Sequence, residues 1–334
     1  MKHFTIINCA ERARSGWNFV QDFYPESADS WHFFSAESQN VVEQYISRPK
    51  ISRVRACLQT AKIARQAETG LVVSHLPRTT AMLEEVRHLY HIKLPHLAFA
   101  FNFTELPGGF MRSYMKHAFK SVDQFAVFSQ FEKKRYADYF DLDTNKFQML
   151  HWAMETPACS DYRPVNGDYI CAVGGEGRDY KTLIEAFRQI PQLRLVIVTR
   201  PGTLAGLDLP ENVTALFNLP KDDFWATVNN SQFVVVPLLH DEVACGHITI
   251  VGSFLLKKAV VATFSKGTTD YIQHRKNALV SQPGDAIELR DNILRLSENA
   301  GLRSELSEYG HDFAMMNCQP ALWADYLYRF RSSL

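Results

Sequence analysis

One segment near the middle of the chain combines a glycine-rich turn with two cations. An apolar stretch ends in Gly174-Gly-Glu-Gly-Arg178, and Lys181 follows in the next helical segment. Such a turn exposes backbone N–H groups beside the start of a helix, which together suit a phosphate group. Because Arg178 and Lys181 are three residues apart, we predict that both lie on one helical face and meet the same anion. The alternative is a solvated pair with Glu185 one turn beyond Lys181.

A second segment with available backbone N–H groups follows the apolar strand Phe233–Leu239. Gly246 ends a loop and an apolar helix begins directly after it, so the first N–H groups of that helix are predicted to be free for a polar ligand. Glu242, in the loop, is a candidate acceptor of a ligand hydroxyl, and its alternative is a surface acid beside Asp241. His247 is either part of the same site or a residue that caps or packs.

A third candidate segment is Thr268-Thr-Asp270. We predict a helix start there, with one of the three residues as its N-cap, because Thr and Asp side chains accept hydrogen bonds from the first helical N–H groups. Thr268 is also retained as a candidate ligand contact.

The overall composition excludes several functional classes. The chain has 334 residues with 36 Lys plus Arg and 36 Asp plus Glu, so its net charge gives no argument for nucleic acid as a partner. The longest apolar runs are too short to span a bilayer, and the N-terminal apolar stretch is too short for a signal peptide. A cytoplasmic location is therefore expected.

Neither cysteines nor histidines form a metal-binding pattern. The six cysteines include no CxxC pair, and the twelve histidines include no HxxxH pair. We expect no metal, no other cofactor and no disulfide framework.

Apolar runs alternate with helix-period segments in both halves of the chain. Six strands are predicted in each half, and their nearly continuous hydrophobicity is typical of parallel sheets buried on both faces. A Pro- and Gly-containing segment, residues 156–167, separates the halves. The sequence therefore predicts an α/β protein of two doubly wound Rossmann-like domains facing across a cleft, with domains at 1–155 and 168–318 and a terminal helix, 319–334, that packs back toward the first domain.

The order of the motifs in the second half resembles the nucleotide-sugar glycosyltransferases of the GT-B fold, in the family-4-like group known as glycosyltransferase group 1. The glycine–arginine–lysine turn precedes an "LxxAF" helix, and later segments are similar to other motifs of that group. The matching segments are Gly174–Phe187, Asn212–Pro237, Glu242–Thr263 and Gly267–Ile272. The first half matches more loosely, at Val72–His75, Gln124–Ser129 and Phe147–Trp152.

The resemblance implies roles for the candidate residues. Arg178, Lys181 and Glu242 would be catalytic, with the two cations stabilising the leaving diphosphate. Donor-binding residues would be Gly174, Gly175, Gly177, Gly246, His247, Ile248, Thr249 and Thr268. The chain departs from the family at the second acidic residue, which usually holds the ribose of the nucleotide, because no carboxylate lies between Ile250 and Gly252.

Weaker candidates lie after the predicted strands of the first half. These residues, assigned to the acceptor or the cleft, are Glu11, Arg14, Gly16, His75, Arg78 and Asn102. His75 is equally compatible with a packed core histidine. The segment Gly109–Lys120 mixes cations with large apolar residues, which is compatible either with contact to an anionic membrane surface or with an ordinary helix packed on its own domain.

The resemblance predicts a glycosyltransferase of hexosyltransferase type. It would move a sugar from a nucleotide diphosphate sugar to a saccharide or polyprenyl-linked acceptor, with a retaining outcome, in bacterial surface-polysaccharide assembly, with peripheral contact to the inner face of the membrane. Two alternatives stay open: a nucleotide-sugar epimerase of the same fold, and an inactive glycosyltransferase-like binding protein, which the missing carboxylate favours.

Overall fold

The computed structural model describes residues 4–12, 19–25, 29–45, 50–242 and 244–334. Two candidate residues, Arg14 and Gly16, lie outside the described residues. The chain divides into two compact units: Met1–Leu150 with Pro320–Leu334, and His151–Gln319.

The first unit is built on a parallel sheet that has six strands within the described residues, in the order β2-β1-β3-β4-β5-β6. A 3₁₀ turn, Thr144–Lys146, precedes the last strand. The elements of this unit are β1 Phe4–Ala10, α1 Phe19–Asp22, β2 Ser30–Ser35, α2 Val41–Tyr45, α3 Ile51–Ala64, β3 Thr69–His75, α4 Pro77–Leu89, β4 His96–Phe99, α5 Gly109–Phe119, β5 Gln124–Val127, α6 Gln130–Phe140, β6 Phe147–Met149 and, from the end of the chain, α12 Pro320–Ser332.

The second unit, in the described part of the chain, has a second six-stranded parallel sheet in the order β12-β11-β10-β7-β8-β9. A 3₁₀ turn, Lys266–Thr268, follows β11. The elements of this unit are β7 Ile170–Val173, α7 Tyr180–Arg188, β8 Leu195–Thr199, β9 Val213–Phe217, α8 Lys221–Asn229, β10 Val234–Val236, α9 His247–Leu255, β11 Val260–Thr263, β12 Leu279–Ser281, α10 Ala286–Glu298 and α11 Ala300–Asn317. The α/β class and the six strands of each half are therefore confirmed.

Both faces of the second sheet are buried, as the continuous hydrophobicity predicts. Along β7, Ile170 and Ala172 belong to one core cluster, and Cys171 and Val173 belong to the cluster on the other face. Side chains alternate between faces along a strand, so two buried faces require an apolar residue at every position.

Several helices begin where the sequence supplies a side-chain cap. Ser129 Oγ accepts a hydrogen bond from the Glu132 N–H at 3.1 Å, and the Glu132 carboxylate accepts one from Ser129 Oγ at 2.9 Å. This pairing closes the first turn of α6. Asp179 and Asp285 cap α7 and α10 in the same manner.

The terminal helix α12 is part of the first unit. The Trp323 ring is buried, and its centroid lies 5.2 Å from that of Phe99 and 5.8 Å from that of Phe128. Arg331 Nη2 donates to Asp29 Oδ1 at 2.9 Å, so an ion pair holds the end of the helix as well.

Each sheet has one point at which the strand order reverses. In the first unit it lies between β1 and β3, and in the second between β7 and β10. The loops that leave neighbouring strands at such a point diverge to opposite faces and leave a crevice at the carboxyl ends, where ligands of open α/β sheets bind.

Candidate functional site

The glycine turn of the second unit lies at the reversal point between β7 and β10. Arg178 connects the two strands. Its Nε donates to the carbonyl oxygen of Val173, the last residue of β7, at 3.3 Å, and its backbone pairs with Leu238 beyond β10. Its Nη2 donates to Thr249 Oγ1 in α9 at 3.1 Å. The guanidinium group therefore joins the end of β7 to the first turn of α9, the helix that follows β10.

Two glycines leave the space that Arg178 occupies. Gly174 has φ 113°, and a Cβ atom built there would lie 2.8 Å from Arg178 Nη2. Gly246 has φ 97°, and a Cβ atom there would lie 3.3 Å from Leu238 Cδ2 and 3.8 Å from Arg178 Nη1. Both positions require a left-handed backbone that other residues rarely adopt.

The prediction that Arg178 and Lys181 share a helical face is wrong. Helix α7 begins at Tyr180, and Asp179 is its N-cap, accepting from the Thr182 N–H at 3.0 Å. Arg178 therefore precedes the helix, and its side chain turns back over the glycine turn. The Lys181 side chain is exposed and has no hydrogen bond or ion pair with any residue that the structure describes.

The N-terminus of α9 carries no side-chain cap. Its first internal hydrogen bond runs from the Ile250 N–H to the Gly246 carbonyl oxygen at 2.9 Å, so the N–H groups of the three residues before Ile250 are outside the helical pattern. Of these residues, Ile248 is half exposed and Thr249 is buried against Arg178. The backbone N–H groups of this turn suit an anion.

His247 packs in the core of the second unit. Its Nε2–H donates to the Gly267 carbonyl oxygen at 2.7 Å, and its ring centroid lies 4.7 Å from that of Tyr271. Burial lowers the pKa of His247 to about 4, so the imidazole is neutral at physiological pH. This geometry supports the packing interpretation of the residue.

Glu242 is exposed, and its carboxylate pairs with Lys266, which was not among the predicted site residues. Lys266 Nζ lies 3.1 Å from Glu242 Oε1 and 3.0 Å from Asp241 Oδ2. These two ion pairs join the loop after β10 to the turn after β11, and both segments lie at the carboxyl edge of the second sheet.

The capping role predicted for the Thr268–Asp270 segment is wrong. Ser265 caps the short 3₁₀ turn, accepting from the Gly267 N–H at 3.2 Å. Thr268 is buried and its hydroxyl donates back to the Ser265 carbonyl oxygen at 3.0 Å. Thr268 therefore stabilises the turn and presents little surface to a ligand.

The Trp225 ring packs against α9 in the segment Ile250–Gly252, where this chain has no carboxylate. Ile250, Val251 and Gly252 are all buried in α9, and a Cβ atom on Gly252 would lie 2.2 Å from Trp225 Cη2. A carboxylate at any of these three positions would be buried in this structure, which disfavours its charged form.

The first unit has a cavity of about 870 Å³ at its own reversal point, beside the ends of β1 and β3. The cavity contains three of the residues predicted for the acceptor side, Glu11, Arg78 and Asn102. It also contains Lys50 and Arg53, which no sequence pattern connects with Glu11, because they follow it by 39 and 42 residues.

Glu11 is held by three donors at the floor of this cavity. Its carboxylate accepts from Lys50 Nζ at 2.9 Å, from Arg53 Nε at 2.5 Å and from Thr79 Oγ1 at 2.6 Å. Burial disfavours the charged carboxylate, but the three hydrogen bonds and the charge of Arg53 outweigh it and lower the pKa of Glu11 to about 2. Glu11 is therefore ionised at physiological pH and fixes both cations.

The candidate histidine at the end of β3 is buried. His75 is 2% exposed, its Nε2 lies 3.1 Å from Asn8 Oδ1, and burial lowers its pKa to about 3. The next residue, Leu76, has φ 72° and ψ 142°, a conformation that is strained for any residue other than glycine. Leu76 lines the cavity, so the strained position and the candidate site coincide.

A buried Ser–His–Glu arrangement in the first unit resembles a hydrolase triad but is closed to solvent. Ser74 Oγ lies 2.7 Å from His96 Nε2, His96 Nδ1 is bonded to Glu84, and Arg87 is bonded to the same carboxylate. Ser74 is 0% exposed and also bonded to Thr80 Oγ1 at 2.8 Å. These side chains tie β3, β4 and α4 together and cannot reach a substrate.

A cavity of similar volume, about 890 Å³, lies at the opposite edge of the first sheet, beside Phe4, Thr69 and Pro95 at the amino ends of the strands. Ligands of parallel sheets bind at the carboxyl ends, so we take the cavity beside Glu11 as the site. Among the described residues, no group of three or more His, Cys, Asp or Glu side chains is placed to hold a metal ion. No described helix is long and apolar enough to cross a membrane.

Residues 172–313 match the family model described as Glycosyl transferases group 1. Among curated proteins, none matches the chain in sequence. Solved structures resemble the whole chain in fold. HepE from Anabaena, in complex with UDP-glucose, has a TM-score of 0.75 at 12% identity, over 99% of this chain and 100% of that one.

Two other solved structures are similar to the same extent. A glycosyltransferase from Rickettsia africae has a TM-score of 0.72 at 13% identity, over 99% of this chain and 98% of that one. Sucrose-phosphate synthase from Thermosynechococcus elongatus has a TM-score of 0.71 at 15% identity, over 100% of both chains.

The protein is thus an α/β protein with the GT-B fold of glycosyltransferases. Residues 172–313 of its second unit match the family model of glycosyl transferases group 1, and this match together with the fold supports a transferase enzyme.

Proposed function

We propose that the protein transfers a sugar from a nucleotide diphosphate sugar to a hydroxyl group of a saccharide acceptor. The donor binds at the carboxyl edge of the second unit, and the acceptor binds in the cavity of the first. One observation carries the proposal: Arg178, the glycine turn and the uncapped start of α9 converge at the strand reversal of the group 1 domain. The complex of HepE with UDP-glucose supports a donor of this class.

The proposed chemistry develops negative charge beside Arg178 and the uncapped start of α9. The bond between the anomeric carbon and the β-phosphate oxygen breaks, and its electron pair stays on the departing diphosphate. The acceptor hydroxyl oxygen bonds to the anomeric carbon, and the hydroxyl proton passes to the departing diphosphate. Arg178, Lys181 and the N–H groups of α9 would stabilise that charge more strongly in the transition state than in the ground state, which lowers the barrier. We propose that these groups meet the charge without a metal ion.

Glu242 has a second role in this proposal. Its carboxylate, held by Lys266, would accept a hydrogen bond from a hydroxyl group of the donor sugar. The retaining outcome follows from the resemblance to the family, and we propose it on that basis together with a role in bacterial surface-polysaccharide assembly.

Peripheral contact with the inner face of the membrane belongs to the same proposal. On α5, Phe110 is 82% exposed and Met111 is also exposed. Arg112, His117 and Lys120 lie on exposed positions of the same helix segment. Exposed apolar side chains beside cations suit an anionic lipid surface, where a polyprenyl-linked acceptor would be present.

The test is a product assay with the full chain. Uridine and guanosine diphosphate sugars are first screened for binding by thermal shift, and a bound donor is then incubated with saccharide and polyprenyl-linked acceptors. We expect release of the nucleotide diphosphate together with an acceptor heavier by one sugar residue in mass analysis. A changed donor sugar without any acceptor would instead identify an epimerase, and binding without turnover would contradict the proposed transfer. An Arg178→Ala preparation, purified identically, measures the background from contaminating enzymes.

A further inference from the structure

We propose that the first unit binds an acidic oligosaccharide, one whose sugars carry carboxylate groups, in a groove at the amino edge of its sheet. This amino-edge groove consists of the cavity of about 890 Å³ beside Phe4 and Pro95 and an adjoining cavity of about 520 Å³. Arg65 and Tyr90 line both cavities. The inference goes beyond the proposed transfer, whose acceptor cavity lies at the opposite edge of the sheet, and rests on it only for saccharides as the ligands of this protein.

The first argument is the charge of the amino-edge groove. Of its cations, Arg331 is already paired with Asp29. Three others are exposed, and their side chains have no hydrogen bond or ion pair with any residue that the structure describes. Against them, Glu68 is the one carboxylate side chain among the described residues that line the two cavities. The groove therefore has an excess of positive charge that suits an anionic ligand, although the chain as a whole is balanced. The three uncommitted cations are Lys62, Arg65 and Lys93.

The second argument is that the groove offers acceptors for hydroxyl groups. Helices α3 and α4 both end there, and the residues that follow their last turns, Arg65 and Tyr90, line it. The last carbonyl oxygens of a helix have no donor within the helix. That of Ala64, which lines the groove, accepts no backbone hydrogen bond from a described residue. Sugar hydroxyl groups can donate to such carbonyl oxygens, so cations and acceptors together suit a ligand that has both carboxylates and hydroxyls.

The third argument is an aromatic surface in the middle of the groove. Tyr90 is 37% exposed, and the guanidinium carbon of Arg65 lies 5.7 Å from its ring centroid. Aromatic rings beside a few polar groups are typical of small-molecule sites, and the apolar face of a sugar ring packs on such a ring. Each of the two cavities has the volume of a small-molecule site, about 300–1,000 Å³, so the groove accommodates an oligomer.

The experiment is isothermal titration calorimetry on the full chain with three probes. Trigalacturonate has both sugars and carboxylates, maltotriose has sugars alone, and triglutamate has carboxylates alone. We expect trigalacturonate to bind at least about tenfold more tightly than either of the others, because it alone uses the cations together with the ring and the carbonyl oxygens. Its affinity should decrease with added salt. Equal binding of maltotriose would contradict the role of charge, and equal binding of triglutamate would identify an acidic peptide as the ligand and contradict the saccharide.

Substitutions test where trigalacturonate binds. Arg65→Ala and Lys93→Ala should each weaken its binding by about tenfold, as expected for the loss of one charge-assisted hydrogen bond. Arg65→Lys should retain part of the affinity. Lys134→Ala, at an exposed position of α6 in the same unit, should retain all of it. Loss of affinity in Arg78→Ala instead would place the saccharide in the cavity beside Glu11 and overturn the inference.

Thermal unfolding of each variant separates a binding role from a structural one. If the cations only complement the negative ends of α3 and α4, Arg65→Ala should lower the thermal stability and leave the trigalacturonate affinity unchanged, which would overturn the inference. Lys93 lies in the loop after α4, so Lys93→Ala keeps the test decisive if Arg65→Ala does not fold. Trigalacturonate binding without any sugar transfer would contradict the proposed transfer alone. Sugar transfer without trigalacturonate binding would contradict this inference alone.

Discussion

The carboxyl edges of the two sheets differ in the groups that they offer to a ligand, although both include a strand reversal. In the second unit the left-handed backbone positions that follow β7 and β10, the two strands at the reversal point, are glycines, Gly174, Gly177 and Gly246. In the first unit the corresponding positions are Leu76 and Ala100, which carry side chains. The second edge therefore offers backbone N–H groups at close range, and the first edge offers long cationic side chains around a cavity.

The difference suits the two substrates that we propose. A nucleotide diphosphate has the same charged centre whichever sugar it carries, so a fixed cradle of backbone groups serves it. Side chains at the first edge, such as Arg53 and Arg78, can be exchanged without altering the sheet, so this edge can be adapted to a particular acceptor. The comparison predicts that substitutions at the second edge alter turnover and local stability together, and that substitutions at the first edge alter acceptor binding.

The largest effect is expected from Arg178→Ala. Loss of a preorganised donor to the leaving group should lower kcat by on the order of a hundredfold or more, with a smaller change in the donor KM. Because Arg178 also joins Val173 to Thr249, we expect a small decrease in thermal stability as well. Lys181→Ala should lower kcat less and leave stability unchanged, since its side chain is exposed and has no hydrogen bond or ion pair with the described residues. Steady-state kinetics and thermal unfolding measure both.

The control for this prediction is Arg188→Ala. Arg188 is the last residue of α7 and pairs with exposed Asp208. The variant should retain normal turnover. Near-normal turnover in Arg178→Ala would mean that the guanidinium group only holds the turn together. Equal losses in Arg178→Ala and Lys181→Ala would show that the two cations act as one unit despite their different settings.

The sequence predicted the glycine turn and the start of α9 at the second edge because the information for these two features is local. The glycines, Arg178 and the start of α9 follow their strands directly, and glycine patterns report a backbone requirement at the position where they occur. The donors of Glu11 lie 39, 42 and 68 residues away, and no local pattern connects residues so far apart. The predicted direction of the Arg178 side chain was wrong for a related reason. Asp179 caps α7 and so decides where the helix begins, and the spacing of Arg178 and Lys181 does not reveal this start.

A second prediction uses the buried histidine near each edge, His75 in the first unit and His247 in the second. Their pKa values fall from 6.5 to about 3 and about 4 because burial disfavours the charged ring. The unfolded chain therefore binds more protons than the native one below pH 6.5. Stability should be complete above that pH and should decrease as the pH falls from 6.5 toward 3 for His75 and toward 4 for His247, by at most about 1.4 kcal/mol per pH unit for each residue.

Chemical denaturation between pH 4 and pH 7 measures this slope. His75→Gln and His247→Gln should each flatten it, whereas His88→Gln, at an exposed position, should not alter it. A slope that is unchanged in both buried variants would show that other groups cause the acid sensitivity. If only one of the two variants flattens the slope, the acid sensitivity arises in the unit that contains that histidine.

The smallest effects are expected from exchanging glycine for a residue with a side chain, or the reverse, at the left-handed positions of the two edges. Gly246→Ala places a Cβ atom at φ 97° near Leu238 and Val236, so it should destabilise the protein by about 1–2 kcal/mol and weaken UDP binding. Gly284→Ala, at φ 74° with no heavy atom within 4 Å of the new Cβ, is its control. It carries the same backbone strain but should leave UDP binding intact.

Leu76→Gly is the reverse exchange at the first edge. Glycine relieves the strain at φ 72° but loses more conformational entropy on folding, by roughly 0.5–1 kcal/mol, so the net stability should change little or increase slightly. If the strain serves the cavity, binding of the saccharide acceptor should weaken while stability is kept, because the backbone between β3 and α4 is no longer fixed at this residue. Unchanged affinity together with increased stability would mean that Leu76 is strained for a reason unrelated to the acceptor. The two edges would then differ in side chains alone, and the backbone of the first would have no part in its selectivity.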